Sequence, residues 1–116
     1  MTDIKRLLEM AYYNEMANFK PNETGLPMCI YLSPTTGLKH GPRIKVFDKY
    51  GNCGNNEKQV PITISDNPSV EGKFDNIKSK DVELVKQWII KNKSALIDFY
   101  YNKISIDIFR NRLNKV

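Results

Sequence analysis

A chain of 116 residues, 41% hydrophobic and 27% charged with a formal net charge of +5, is one domain's worth of protein, and a folded monomer of this size buries about two-thirds of its unfolded surface. That balance excludes disorder, collagen and coiled coil. No apolar run approaches the roughly 20 residues of a membrane helix, and the first residues, with Asp3 and Glu9 among them, lack a signal peptide's apolar block. A cytoplasmic location with no membrane partner is expected.

The pattern predicts an N-terminal helix over 1–19, because Ile4, Leu7, Leu8, Ala11, Tyr12 and Met16 recur at spacings of three and four. Thr2 or Asp3 can cap it. Phe19 to Pro27 reads as a connector, since Pro21, Asn22, Gly25 and Pro27 sustain neither helix nor central strand. Antiparallel strands are predicted over 27–65. Met28, Ile30 and Leu32 alternate with Cys29, Tyr31 and Ser33; Ile44 and Val46 alternate with Arg43, Lys45 and Phe47; and Val60, Ile62 and Ile64 mark a third strand. Ser69 to Phe74 could add a short edge strand.

One main helix is predicted over 79–101, with Ser79 as its N-cap and Asp81 and Glu83 in the first turn. Val82, Val85, Trp88, Ile89, Leu96 and Phe99 form its apolar stripe, and the Trp88 indole N–H is expected to find a backbone acceptor. Asn102 and Lys103 form a turn, and a short extended piece over Ile104 to Ile106 leads into a short C-terminal helix over 106–114. Asp107 could cap that helix, with Ile106, Phe109 and Leu113 as its buried side. The fold class is α+β: a small antiparallel sheet of three to four strands packed against one long helix, in a single domain.

Cys29 and Cys53 have no CxxC spacing, and His40 is the only histidine, so neither a structural metal nor a cofactor is expected. A disulfide is open to the two cysteines in an oxidising compartment, and in the cytoplasm they default to free thiols. The charge excess belongs to the middle and the C-terminal third. Lys39, His40, Arg43 and Lys45 crowd the entrance of the second strand, where Arg43 and Lys45 share a face with Tyr31 and Phe47. This is the candidate binding surface for another protein, with an acidic partner the kind that the cations would suit. A solvated sheet face is the plain alternative. Lys86, Lys91, Lys93, Arg110 and Arg112 would form a nucleic-acid face if the last helix packs beside the long one. His40 with Asp48 or Glu57 is the one pairing that could support general acid and base work. Motifs of the common enzyme classes are missing from the sequence.

Three blocks together resemble small bacterial and phage-borne proteins of the DUF4160 type: Thr24-Gly25-Leu26-Pro27, His40-Gly41-Pro42-Arg43-Ile44-Lys45-Val46, and Val82 to Tyr100 with Gln87-Trp88-Ile89 and Asn92-Lys93. The likeness covers roughly residues 25–106. It implies a short sheet followed by a Trp-bearing helix, and a toxin–antitoxin or mobile-element role. Of the His-Pro-Pro-His-type segment in such proteins only His40 and Pro42 are matched, and the missing second histidine weakens any inherited metal or catalytic role. The expected function is a non-enzymatic protein–protein interaction module, a toxin–antitoxin component or an inhibitor of a host or defence protein. A nucleic-acid-binding protein and a small ribonuclease-like toxin using His40 are the alternatives.

Overall fold

The computed structural model describes residues 18–34, 41–54 and 57–116. Their order is β1 (Asn18–Phe19), α1 (Pro21–Thr24), β2 (Met28–Tyr31), β3 (Arg43–Tyr50), β4 (Gln59–Thr63), α2 (Ser79–Lys91), α3 (Lys93–Tyr100) and α4 (Ile106–Arg112). The strands form one antiparallel sheet in the order β1-β2-β3-β4. The fold is α+β, as the sequence pattern predicts.

Alternation sets the faces of the sheet. Ile30, Ile44, Val46 and Ile62 enter the core together with Val85, Trp88 and Ile89 of α2, Leu96 and Phe99 of α3, and Ile106 and Phe109 of α4. Phe109 stacks on Phe99 with ring centroids 4.8 Å apart and meets Phe19 edge-on at 5.2 Å. Such ring pairs add about 0.5–1.5 kcal/mol each beyond burial. They fasten the last helix to both the sheet edge and α3.

The single long helix is corrected to two. Asn92 leaves helical geometry at φ −107° and ψ 14°, between α2 and α3. Its side chain offers the backbone other partners: Nδ2 donates to the Trp88 carbonyl at 3.0 Å and to the Asn114 carbonyl at 2.9 Å. Ser79 is not the cap either, because Lys78 holds that position without a side-chain bond. For α4 the cap is Ser105, whose Oγ accepts the Ile108 N–H, rather than Asp107, and Ile106 already belongs to the helix.

Two further expectations change at the N-terminal side. Asn18–Phe19, placed at the end of the predicted first helix, pair with Tyr31 and Ile30 as β1, and the connector contains the short helix α1. Residues 1–17 lie outside the described residues. Gly25 closes α1 at φ +80°, and a side chain there would crowd the Val116 nitrogen at 3.2 Å. The Val116 N–H donates to the Thr24 carbonyl at 3.0 Å, so the tail is sewn onto α1.

The predicted edge strand over Ser69 to Phe74 is reduced to one bridge between Val70 and Ile62. It still screens β4. Thr63 donates its N–H to the Ser69 carbonyl at 3.0 Å, and the Glu71 N–H donates to the Pro61 carbonyl at 2.8 Å.

For the cysteines the disulfide alternative holds rather than the default of free thiols. Cys29 and Cys53 form a disulfide, with Cα atoms 5.4 Å apart. Sequence separation could not reveal that β2 and the turn after β3 bring them together, because the pairing depends on sheet register.

Candidate functional site

The proposed binding surface is only partly assembled. Lys39 and His40 lie outside the described residues. Tyr31 and Lys45 are register partners in β2 and β3, and the Lys45 ammonium sits 5.9 Å from the centre of the Tyr31 ring, within reach of the ring's negative face. Lys45 is exposed and Tyr31 half-buried. On the same face, Arg43 pairs with Glu71 at 3.1 Å, and its Nε is buried without a hydrogen-bond partner. Phe47 is corrected from an exposed aromatic to a buried one, 3% accessible. Alternation assigns it a face but says nothing of what covers that face.

The nucleic-acid face is largely spent on internal bonds. Lys93 pairs with Asp66 at 2.8 Å. Arg112 bonds Asp98 at 2.8 Å and Ser94 at 3.1 Å. Arg110 pairs with Glu23 and lies 4.6 Å from the centre of the Phe19 ring. Lys91 donates to the Lys115 carbonyl at 2.7 Å. Lys86 lies apart from these, half-buried in an open groove of about 390 Å³ with Lys73, Phe74, Val82 and Glu83. The chain thus uses most of this set to hold its own loops and helices rather than to present one cationic stripe.

The carboxylates suggested as partners for His40 have other work. Asp48 is 3% exposed, and its two oxygens accept the N–H groups of Asp75 at 3.0 Å and Asn76 at 2.9 Å. The Asn76 amide returns a bond to the Asp48 carbonyl at 3.1 Å. Glu57 pairs with Lys49 at 3.6 Å. Lys58 reinforces the same corner, donating to the Lys73 carbonyl at 2.7 Å and to Asp75 at 2.9 Å. That bond holds the Asp75 carboxyl below its ordinary value of 3.8. Asp48 and Lys58 therefore fix the approach to α2.

Tyr50, at the end of β3, completes that corner. Its hydroxyl donates to Asp81 at 2.5 Å and accepts the Lys78 N–H at 3.0 Å, linking the end of β3 to the first turn of α2. The carboxylate acceptor raises the phenol above its ordinary value of 10.0. Trp88 departs from expectation too, because its buried indole N–H has no hydrogen-bond partner. The helical path of α2 through Trp88 fixes the ring by packing alone.

Among the described residues, no group of three or more His, Cys, Asp and Glu is placed to hold a metal ion, and no helix is long and apolar enough to cross a membrane. Comparison with protein-family models, with curated proteins and with solved structures returns no match.

Proposed function

We propose that the chain is a protein-binding module whose sheet face, centred on Tyr31 and Lys45, receives an acidic partner. The observation that carries the reading is the exposed Lys45 ammonium poised over Tyr31, with no carboxylate of the described residues bonded to it. Aromatic rings are enriched at interface centres, and an incoming carboxylate would find the Lys45 charge uncompensated by any described residue. Within this reading, the likeness to DUF4160-type proteins favours a toxin–antitoxin component or an inhibitor of a host or defence protein. The nucleic-acid alternative is weakened by the ion pairs of Lys93, Arg110 and Arg112.

The test pairs Tyr31→Ala with Lys45→Glu and leaves Arg43 intact, because Arg43 is engaged with Glu71. The double variant should lose the proteins that co-purify with the wild type while its melting temperature stays nearly unchanged. Undiminished capture overturns the proposed surface. Wild-type binding to a single-stranded oligonucleotide at about 50 mM salt, falling steeply as salt rises, would instead favour the nucleic-acid reading.

A cytoplasmic location belongs to the same proposal. Disulfides there form and break rather than persist. Non-reducing electrophoresis of protein alkylated directly in cells should find a mixture of bonded and free forms, and a fully bonded population would move the protein to an oxidising compartment.

A further inference from the structure

We propose that the Cys29–Cys53 disulfide is a redox latch that opens at Cys53 and loosens the hold of β3 on the start of α2. Three observations carry this. The two cysteines differ in access: Cys29 is 0% exposed, whereas Cys53 is half-buried in the turn after β3. A reducing thiol therefore meets Cys53 first.

The bond also ties the sheet where its ladder is broken. Between the pairs Met28↔Tyr50 and Ile30↔Val46 the register shifts, so that Cys29 alone opposes Phe47, Asp48 and Lys49. Regular pairing holds β2 to β3 on one side of this shift, at Ile30 and Tyr31. On the other side the main attachments are the Met28–Tyr50 pairing, the Gly51 N–H to the Pro27 carbonyl at 2.8 Å, and the disulfide itself.

What stands at that end of β3 is Tyr50, three residues from Cys53, with its hydroxyl on Asp81 and on the Lys78 N–H. The bond between two cysteines is thereby connected to a helix terminus through one side chain. Opening the bond frees the turn, and the turn positions Tyr50.

The step balances with a small dithiol as reductant. One of its thiolates attacks the Cys53 Sγ, the S–S bond breaks, and the electron pair leaves on the Cys29 Sγ, which takes a proton. The second thiol of the reductant then attacks the mixed disulfide, releasing the Cys53 thiolate, which is protonated in turn, and the cyclic oxidised dithiol. Two electrons and two protons pass to the protein.

The experiment treats the folded wild-type chain with dithiothreitol near neutral pH, follows thiol release by mass after alkylation, and records amide relaxation by NMR in both states. On reduction, the order parameters of the Gly51 and Lys78 amides should fall from about 0.85 to below about 0.6, with Val46 and Ile62 unchanged. Re-oxidation should restore them. The proposal is overturned if the bond resists reduction in the folded protein, or if Lys78 keeps its order after reduction. It is equally overturned if the spectrum collapses throughout, since the bond would then be a staple of the whole fold.

Discussion

Asn92 and Asn114 are joined by a reciprocal pair of hydrogen bonds: Asn92 Oδ1 accepts the Asn114 N–H at 2.8 Å, and Asn92 Nδ2 donates to the Asn114 carbonyl at 2.9 Å. One amide side chain therefore imitates a strand and pairs with the tail. It does so from a buried position, 3% exposed, at the junction of α2 and α3.

Replacing Asn92 with Ala should cost about 3 kcal/mol, because the Asn114 N–H and carbonyl lose their partners. Urea denaturation measures it. A loss below about 1 kcal/mol would show that water satisfies those groups instead. Asn92→Asp should also destabilise, since a carboxylate keeps the acceptor and gives up the donor.

Asp48→Ala removes the acceptor for two consecutive backbone N–H groups, those of Asp75 and Asn76. The expected loss is about 3 kcal/mol, given that hydrogen bonds to a charged group are the stronger kind. Asp48→Asn retains one acceptor oxygen and should lose about half as much. Equal melting temperatures for the two variants would count against this account.

Two exposed groups give the stability curve opposite flanks. Tyr50 titrates above 10.0 because its proton is held by Asp81. The protonated phenol favours the folded state, so its contribution is complete below pH 10 and disappears as pH rises through the raised value. Asp75 titrates below 3.8 because Lys58 bonds its carboxylate. That contribution is complete above the ordinary value and is lost as pH falls through the lowered one. Melting curves against pH should show Tyr50→Phe flattening the alkaline limb alone and Lys58→Ala the acidic limb alone.

Asn102 sits at φ +62° after α3, the one described non-glycine residue with a positive φ. The Lys103 N–H reaches the Asp98 carbonyl at 2.8 Å and the Asn102 N–H reaches that of Phe99 at 3.0 Å, which together close the helix. Asn102→Gly should be tolerated, and Asn102→Val should cost about 1–2 kcal/mol. Thermal unfolding of the pair checks the ordering. If Val matches Gly, the left-handed turn is not what ends α3.

The α+β class was legible because Ile44 and Val46, Val60 and Ile62, and the Val85–Trp88–Ile89 stripe each carry the period of their element. The break at Asn92 was not legible, because the apolar stripe runs on from Trp88 to Leu96 and only the folded chain brings Asn114 to the Asn92 amide. The sequence offers Asp48 only as a partner for His40, and its hold on the Asp75 and Asn76 N–H groups depends on a loop that the fold brings to it. The candidate surface was harder to read. Arg43, Lys93, Arg110 and Arg112 look like free cations in a sequence, and only the folded chain brings Glu71, Asp66, Glu23 and Asp98 to them. Phe47 fails for a related reason: period two assigns a side, whereas burial depends on what is packed over that side.

The contacts of Ser69–Glu71 along β4 bear on how this protein meets its neighbours. The outward-facing groups of β4 belong to Gln59, Pro61 and Thr63; Pro61 has no N–H, its carbonyl is taken by Glu71, and the Thr63 N–H is given to Ser69. A strand from another molecule cannot lengthen the sheet there without first evicting that segment. Recruitment by strand addition is closed on this flank. A partner has to recognise side chains on the face of the sheet, which makes its selectivity a question of chemistry at Tyr31 and Lys45 rather than of backbone pairing.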